Sequence, residues 1–286
     1  MTDNYRERVC SGYDHLLAID ERLFEARTDH QHLLIFKNRA FGRVLALDGV
    51  IQTTEADEFI YHEMMVHVPV LAHGGVRRVL IIGGGDGAIL REVLRHRAIQ
   101  QVVQVEIDQS VIDLCRQYLP NHSKGAFEDP RARIVIDDGL HFLQQTHQRF
   151  DVILTDSTDP DGPSEKLFSQ RYYAACKGCL TPGGVMVTQN GVAFLQLDEV
   201  RSSAMHFETL FRDWHFFTAA IPSYAGGIMA FGWATDDPEL RRQPFQTLQQ
   251  RFSKSGITTR YYTPAIHRSA FALPQYIVDA IGKKSP

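Results

Sequence analysis

The sequence predicts an α/β protein: a small antiparallel β domain followed by a mostly parallel, doubly wound sheet that closes with an antiparallel hairpin. Three features predict this fold. From residue 76 onward, short apolar runs alternate with segments of helical spacing, as in a parallel sheet covered by helices. The last two apolar runs are joined by a link too short for a crossover helix, so they should form the hairpin. The first 55 residues instead show short strands between turn residues.

The elements are expected in the following order. The N-terminal domain, residues 1–55, should hold strands at 15–19, 23–26, 32–36, 43–47 and 50–53. A helix over 56–73 fills most of a bridging segment at 56–75. The larger domain, residues 76–286, should hold strands at 79–82, 102–107, 133–136, 150–154, 185–189, 214–221 and 228–234. Its C-terminal helical extension is expected to contain a helix, a short strand at 257–262 and a final helix near Gln275.

The turn after the strand at 79–82 is rich in glycine and opens a helix. Gly83 and Gly85 would let the backbone approach a nucleotide closely, and the amide groups of the helix would face it. Glu106, near the end of the next strand, can accept hydrogen bonds from both hydroxyls of a ribose. The glycine pattern alone also fits a nicotinamide or flavin dinucleotide site, or a turn that binds nothing.

Acidic residues follow further predicted strands. Asp138 and Gly139 come after the strand at 133–136, and Asp156 to Asp159 come after the strand at 150–154. Because the carboxyl ends of parallel strands meet at one edge of a sheet, these acids should form a single cluster. A cluster of carboxylates suits a small cationic substrate.

Composition excludes several classes of partner. The chain has 286 residues and a formal charge of −4, and its Lys and Arg residues form no dense run. A surface for nucleic acid or anionic membranes is therefore not expected. No apolar stretch approaches the length of a transmembrane helix, and the N-terminus lacks the apolar core of a signal peptide. We therefore expect a soluble, cytoplasmic protein.

Two motifs suggest metal or redox chemistry, and neither has the spacing that such chemistry needs. Cys176 and Cys179 fall late in a helical run, whereas a redox pair requires a helix N-terminus, and no second pair could complete a zinc site. His62 and His67 stand five positions apart, about 140° around a helix, so their rings cannot face one ion. No metal site and no disulfide framework are expected.

Several motifs, taken in order, resemble those of the polyamine aminopropyltransferases, and most closely the bacterial spermidine synthases. They cover residues 47–55, 57–64, 80–87, 105–108, 138–139, 156–160, 162–163 and 221–224. The resemblance implies a β-stranded N-terminal domain on a methyltransferase-like Rossmann domain. It implies transfer of an aminopropyl group from decarboxylated S-adenosylmethionine, as co-substrate, to putrescine, giving spermidine and methylthioadenosine without a cofactor. It also implies a homodimer or homotetramer.

The resemblance further implies roles for individual residues. Asp156 is the implied general base. The residues implied to hold the thioadenosine half are Gln31, Glu106, Asp138, Gly139 and Pro163, to which the glycine turn adds Gly83 and Gly85. Those implied around the polyamine are His62, Asp86, Asp156, Ser157, Thr158, Asp159, Tyr61 and Tyr224. Asp161 is a charged residue where relatives often carry an apolar one.

The implied reaction needs residues of these types. The sulfonium leaving group requires no acid, but an alkyl amine has a pKa of about 10.4 and must lose a proton before it attacks. Asp156 can accept that proton while Asp86 and Asp159 hold the remaining ammonium charges. Neighbouring carboxylates should raise the pKa of Asp156 toward a useful value. Tyrosine rings at 61 and 224 would add cation–π attraction and exclude water.

Other interpretations remain open on the sequence alone. Asp156 could be a turn or capping residue, His62 a structural histidine, and Tyr61 and Tyr224 plain core aromatics. An S-adenosylmethionine methyltransferase shares the fold, but such enzymes usually carry an acid at the place of Ile81. A non-catalytic nucleoside sensor would not need the acids at 156 and 159, and a dinucleotide oxidoreductase would not need the Asp138-Gly139 site. The acceptor could be putrescine, cadaverine, agmatine or spermidine, because spacing does not reveal pocket depth.

Overall fold

The structure is a computed structural model that describes residues 3–159 and 162–282. The strands within these residues are β1 (Asp3–Cys10), β2 (Tyr13–Ile19), β3 (Glu21–Arg27), β4 (His32–Asn38), β5 (Gly42–Leu47), β6 (Val50–Thr54), β7 (Arg78–Gly83), β8 (Gln101–Glu106), β9 (Ala132–Ile136), β10 (Phe150–Asp156), β11 (Leu180–Val192), β12 (Asp213–Ala220) and β13 (Ile228–Thr235). The α-helices are α1 (Glu58–His73), α2 (Ala88–Leu94), α3 (Gln109–Tyr118), α4 (Pro120–Ser123), α5 (Gly139–Gln145), α6 (Gln170–Cys179), α7 (Leu197–Leu210), α8 (Phe245–Ser255), α9 (Pro264–Ala270) and α10 (Gln275–Ala280). Two 3-10 helices cover Ala126–Glu128 and Gly162–Phe168.

The N-terminal strands form two antiparallel sheets. β1 pairs with β2, and β3 to β6 form a four-stranded meander. Side chains alternate along β4, so that Leu34 and Phe36 pack toward the β1–β2 hairpin. Leu33 and Ile35 point the other way and pack against Val111 of α3. The meander is therefore held between its own hairpin and a helix of the larger domain.

The larger domain is built on a seven-stranded sheet in the order β12-β13-β11-β10-β7-β8-β9. β9, β8, β7, β10 and β11 are parallel, whereas β13 is antiparallel to both β11 and β12. The chain proceeds outward from β7 to β8 and β9 and then returns to place β10 on the other side of β7. The strand order reverses there, and a crevice opens beyond the carboxyl ends of β7 and β10.

Both faces of this sheet are buried. Val79 and Ile81 of β7 belong to a core that also contains α1 and α2, and Leu80 and Ile82 belong to a second core with α5, α6 and α7. A strand covered on both faces is a continuous apolar run, which is why residues 79–82 are detectable in the sequence. The predicted fold class is confirmed: a small antiparallel β domain precedes a mostly parallel sheet that ends in an antiparallel hairpin.

Two regions differ from the sequence-based expectation. β1 was not predicted, because its buried positions are Tyr5 and Glu7 and it lacks an apolar alternation. Residues 257–262 were predicted as a strand but form none, so that prediction is wrong. The apolar residues that suggested a strand there include Tyr262, which is fully buried in an irregular segment.

The segment at 257–262 is held by a side chain and not by a neighbouring strand. Glu63, on α1 and only 2% exposed, accepts hydrogen bonds from the backbone N–H groups of Arg260, Tyr261 and Tyr262, each at 2.8 Å. A carboxylate thus satisfies three amide groups that a sheet would otherwise pair. Hydrogen bonds to a charged acceptor are about twice as strong as neutral ones, so this contact fastens the C-terminal extension to α1.

We expect Glu63→Gln to destabilise the protein by about 3 kcal/mol, because the new amide group faces N–H donors and leaves at least one of them unpaired. Urea unfolding at fixed protein concentration would measure the loss, and hydrogen exchange would show faster exchange at residues 260–262. Glu208→Gln, a change at an exposed position of α7, is the matched control. Equal unfolding midpoints for the two variants would contradict this role of Glu63.

Candidate active site

A cavity of about 300 Å³ lies along the carboxyl edge of the seven-stranded sheet. Its lining includes Asp138 after β9, Glu106 at the end of β8, Gly83 at the end of β7, Asp156 at the end of β10 and Gln189 of β11. These strands are consecutive neighbours in the sheet. At a spacing of about 4.8 Å per strand, the five positions span roughly 19 Å, the length of an extended rather than a compact ligand.

The structure brings the predicted site residues together at this one cavity. Those that line it are Gln31, Tyr61, His62, Gly83, Gly85, Asp86, Glu106, Asp138, Gly139, Asp156, Ser157, Thr158, Asp159 and Tyr224. Pro163 has its backbone in the 3-10 helix Gly162–Phe168, and its side chain lies outside the described part of the chain. Asp161 lies outside the described residues.

Backbone forms the floor of the cavity where β7 and β10 meet. Gly83 has a φ of +84°, and a Cβ there would stand 2.0 Å from the carbonyl oxygen of Asp156. The amide of Gly84 donates to that same carbonyl at 3.1 Å. No side chain fits at position 83, so the glycine turn and the end of β10 come into direct contact.

Glu106 marks the end of the cavity expected to hold a nucleoside. Its side chain is almost buried and accepts a hydrogen bond from the backbone amide of Asp108 at 3.0 Å. Burial raises the pKa of Glu106 to about 7. Gln31 and Thr28 both reach Asp108 from the N-terminal domain, at 3.3 and 2.8 Å. The N-terminal domain therefore forms one wall beside Glu106.

Both carboxylate oxygens of Asp138 have partners. One oxygen caps α5 by accepting from the amides of Leu140 at 2.8 Å and His141 at 3.1 Å. The other forms an ion pair with Lys166 of the 3-10 helix. Burial would raise the pKa of Asp138, but the contact with Lys166 and the capping amides lower it below the ordinary value. Lys166 lines the cavity and was missed by the sequence analysis, since no motif includes it.

Asp156 occupies the centre of the cavity edge. The hydroxyl of Tyr61 donates to its Oδ1 at 2.6 Å. Burial and then the charge of Asp86 raise the pKa of Asp156 to about 6, against opposing effects of His62 and the Tyr61 hydroxyl. Sequence reasoning expected the rise but attributed it to neighbouring carboxylates, whereas burial is the larger cause. The carboxylate is ionised at neutral pH, and its pKa is close enough to 7 for it to accept a proton.

Tyr61 and Tyr224 form an aromatic wall beside Asp156. Their ring centroids are 6.3 Å apart in an edge arrangement. The hydroxyl of Tyr224 donates to the backbone carbonyl of Gln52 at 2.6 Å, which joins the loop between β12 and β13 to the N-terminal domain. Both rings line the cavity in addition to their packing contacts.

His62 and Asp86 lie side by side on the next part of the wall. His62 Nδ1 is 2.7 Å from Glu58 Oε2, and its Nε2 is 3.5 Å from Asp86 Oδ2. The other oxygen of Asp86 accepts from the amide of Ala88 at 2.9 Å, at the start of α2. Burial disfavours a charged His62, but Asp86 and Glu58 outweigh it and raise the pKa of His62 to about 9.

The remaining end of the cavity is acidic. Asp159 Oδ1 accepts from Gln189 Nε2 at 3.1 Å, and burial raises the pKa of Asp159. Glu7 of β1 lines the same cavity, is 8% exposed and accepts from the amide of Ile51 at 3.0 Å. The sequence analysis missed Glu7 because it missed β1. The available signal was the position of Glu7 between Tyr5 and Val9, each two residues away.

The arrangement can bind a nucleoside at one end and a cation at the other, with an ionised base between them. Within residues 3–159 and 162–282, no group of three His, Cys, Asp or Glu side chains could hold a metal ion. Cys176 and Cys179 are free and buried in α6. His67 Nδ1 lies 3.0 Å from His96 Nε2. No helix of the described chain is long and apolar enough to cross a bilayer.

Two family models match the chain. Residues 58–244 match the spermine/spermidine synthase domain, and residues 5–55 match the spermidine synthase tetramerisation domain. A polyamine aminopropyltransferase from Pseudomonas aeruginosa is 59% identical over 281 residues, which is 98% of each chain. One from Klebsiella pneumoniae is 58% identical over 283 residues, covering 98% of this chain and 99% of the relative.

Solved structures agree with these sequence matches. A spermidine synthase crystallised with the transition-state analogue AdoDATO has a TM-score of 0.92 and 33% identity, over 98% of this chain and 95% of that one. The spermidine synthase of Thermotoga maritima has a TM-score of 0.90 and 31% identity, over 99% and 95%. With sequence matches over nearly its whole length and the same fold, this chain belongs to the polyamine aminopropyltransferase family.

Proposed function

We propose that this protein is a spermidine synthase, which transfers the aminopropyl group of decarboxylated S-adenosylmethionine to putrescine and releases spermidine and methylthioadenosine. One observation carries the proposal. The partly buried base Asp156 stands between Glu106, at the nucleoside end, and the acidic end formed by Glu7 and Asp159. A ligand pair with adenosine on one side and a cationic amine on the other fits this order of residues along the sheet edge.

The chemistry follows from this placement. A primary amine of putrescine loses a proton to Asp156, directly or through water, and its lone pair attacks the propyl carbon attached to sulfur. The carbon–sulfur bond breaks and its electron pair returns to sulfur, so the sulfonium becomes the neutral thioether of methylthioadenosine. Two reactants held in line gain a large rate enhancement from orientation alone. Tyr61 fixes the carboxylate of Asp156 by its hydrogen bond of 2.6 Å.

The nucleoside half would occupy the part of the cavity along β7, β8 and β9. Glu106 would accept from the two ribose hydroxyls, and Gly83 and Gly85 would let the backbone approach the ligand. Gln31, Asp138, Gly139 and Pro163 would surround the rest of the thioadenosine. Asp138 already bonds Lys166, so that ion pair would border the bound nucleoside.

The polyamine half would occupy the part near β10 and β11. Asp159 and Glu7 would hold the distal ammonium of the diamine, and Asp86 would face the ammonium of the aminopropyl arm. Ser157 and Thr158 complete the loop that carries Asp159, and His62, Tyr61 and Tyr224 form the wall. Tyrosine faces attract ammonium groups and keep water from the reacting atoms.

Assembly, location and domain organisation complete the proposal. The match of residues 5–55 to a tetramerisation domain supports a homodimer or homotetramer formed through the N-terminal strands. The proposed domains are 1–55, 56–75 and 76–286. The first boundary is supported by the two family models, which meet between residues 55 and 58, and the second by the end of α1 ahead of β7. We propose a cytoplasmic location, without nucleic-acid or membrane partners.

The direct test is incubation with decarboxylated S-adenosylmethionine and one acceptor at a time. Putrescine, cadaverine, agmatine and spermidine should be compared, with release of methylthioadenosine and product masses followed in each case. We expect the highest kcat/KM with putrescine. Faster turnover of spermidine would indicate a spermine-forming enzyme, and tight adenosine binding without turnover of any acceptor would indicate a sensor.

Asp156→Asn should lower turnover by roughly two to four orders of magnitude, the usual contribution of a general base. Its affinity for methylthioadenosine should stay near that of the wild type, because the amide has the same shape. In the wild type, kcat/KM should fall as pH drops through about 6, the pKa of Asp156. Asp113→Asn, on the exposed face of α3, is the control. Near-normal turnover of Asp156→Asn between pH 7 and 9 would refute the assignment.

The affinity for methylthioadenosine should depend on the protonation of Glu106. Ribose hydroxyls donate to the ionised carboxylate, whose pKa is about 7 in the empty site. If only that form binds well, affinity should fall about tenfold from pH 8 to pH 6. Calorimetry in buffers of different ionisation enthalpy would measure the proton release. Glu106→Gln should bind more weakly and lose this pH dependence; a dependence that persists in the variant would contradict the role.

Asp159→Asn should lower kcat/KM for putrescine by about 10- to 100-fold, the range expected for one charge-assisted hydrogen bond. Butylamine has the same chain without the distal ammonium, so its low reactivity should change less than threefold. Steady-state kinetics with both amines would give the comparison. Equal losses for the two amines would mean that Asp159 acts on the loop and not on the distal ammonium.

A further inference from the structure

We propose that Glu58 is a positioning residue that, with Arg91, holds His62 as an imidazolium against Asp86 at neutral pH, and that this cation keeps the base Asp156 ionised. The inference rests on the proposed function for its second part only. Neither Glu58 nor Arg91 lines the cavity, so the proposal extends the site to a layer of residues behind its wall.

Hydrogen-bond chemistry fixes the state of His62. Carboxylate oxygens lie near both of its ring nitrogens: Glu58 Oε2 at 2.7 Å from Nδ1 and Asp86 Oδ2 at 3.5 Å from Nε2. A neutral imidazole has one N–H donor, so it would place one lone pair against a negative oxygen. Only the imidazolium donates from both nitrogens. The His62 side chain is 4% exposed, so its charge is compensated mainly by these carboxylates and not by solvent.

The position of Glu58 follows from helix geometry and from Arg91. Glu58 and His62 are four residues apart on α1, the spacing that brings two side chains together on one helix face. Arg91 of α2 donates from Nη2 to the same Glu58 oxygen at 2.9 Å. An arginine stays charged at any pH that the protein tolerates, so Glu58 remains ionised behind the histidine. Burial would raise the pKa of Glu58, but His62 and Arg91 hold it well below its ordinary value.

The carboxylates around His62 favour this state, and the other cation of the group, Arg91, is itself paired with Glu58 and Glu92. Glu58 and Asp86 contact it, and Asp156 attracts it from the end of β10. His122 of α4 lies with its ring centroid 6.4 Å away, and burial lowers the pKa of His122 so that it stays neutral. Its Nε2 is engaged with the hydroxyl of Thr53 at 3.0 Å. His62 thus has a carboxylate beside each ring nitrogen and a neutral histidine as its next ring neighbour.

The charge of His62 affects the proposed base Asp156 because both side chains interact with the carboxylate of Asp86. Glu58, Arg91, His62 and Asp86 carry two negative and two positive charges, so the group is neutral as a whole. The charge of Asp86 raises the pKa of Asp156 and the charge of His62 lowers it. Without the cation, Asp156 would face an uncompensated carboxylate in a buried site and would take up a proton near neutral pH. A protonated Asp156 cannot accept the proton of the ammonium substrate.

The first test is nuclear magnetic resonance of the full-length enzyme labelled with 15N in histidine, with the His62 signals assigned by their loss in His62→Gln. In the wild type, both ring nitrogens of His62 should remain protonated until the pH approaches about 9. Glu58→Gln should lower that titration by at least about one pH unit. Glu58→Asp keeps the charge but withdraws the oxygen from Nδ1, so it should give a smaller shift in the same direction. Titration of wild-type His62 near 6.5 would overturn the proposal without any measurement of activity.

The second test is the pH profile of kcat/KM with putrescine. In His62→Gln, which removes the cation itself, the acid limb should move to higher pH by about one unit, since Asp156 then faces Asp86 without the neighbouring positive charge. Glu92→Gln removes a buried carboxylate that also contacts Arg91 but not His62, and it should leave both the His62 titration and the acid limb in place. An acid limb that stays at the wild-type pH in His62→Gln would overturn the tuning of Asp156. Absence of turnover in the wild type would refute the proposed function and leave the result for His62 standing.

Discussion

The contact between Gly83 and Asp156 is the constraint on which the site depends. β7 and β10 are neighbouring parallel strands whose connections lead in opposite directions, so a crevice opens beyond their carboxyl ends. A Cβ at Gly83 would lie 2.0 Å from the Asp156 carbonyl oxygen, and the Gly84 amide bonds that oxygen instead. Any side chain at position 83 would push Asp156, the proposed base, away from the glycine turn. In the proposed complex, the nucleoside half and the amine half would meet where these two backbones touch.

Bringing acids to one edge of a sheet has an electrostatic cost that the protein offsets with specific partners. Asp138 pairs with Lys166, Asp86 with His62, and Asp156 accepts from Tyr61. Burial still leaves the pKa of Glu106 at about 7 and that of Asp156 at about 6. A cationic substrate would relieve this strain when it binds, because it supplies the positive charge that the acids lack.

The sequence predicted what depends on local pattern and missed what depends on distant partners. The fold class followed from buried strands such as 79–82, and the cavity lining followed from motifs at strand ends. Glu7 was missed because β1 lacks the alternating apolar residues by which a strand is recognised in a sequence. The prediction of a strand at 257–262 was wrong because Glu63, almost 200 positions away, accepts the backbone hydrogen bonds that a neighbouring strand would otherwise accept. Neither a side chain's partner nor its pKa can be read before the fold places both members.

Helix α1 connects these long-range effects. It is buried on nearly all sides, so its faces are distinguished by polar contacts and not by an apolar stripe. Tyr61 and Glu63 are two residues apart, about 200° around the helix, and therefore point in opposite directions. Tyr61 reaches Asp156 while Glu63 fastens the C-terminal extension. The rotation of α1 that sets the Tyr61–Asp156 hydrogen bond is thus fixed from behind by residues 260–262, which lie outside the cavity. A change in that distant segment would act on the base through the helix, with no contact to either substrate.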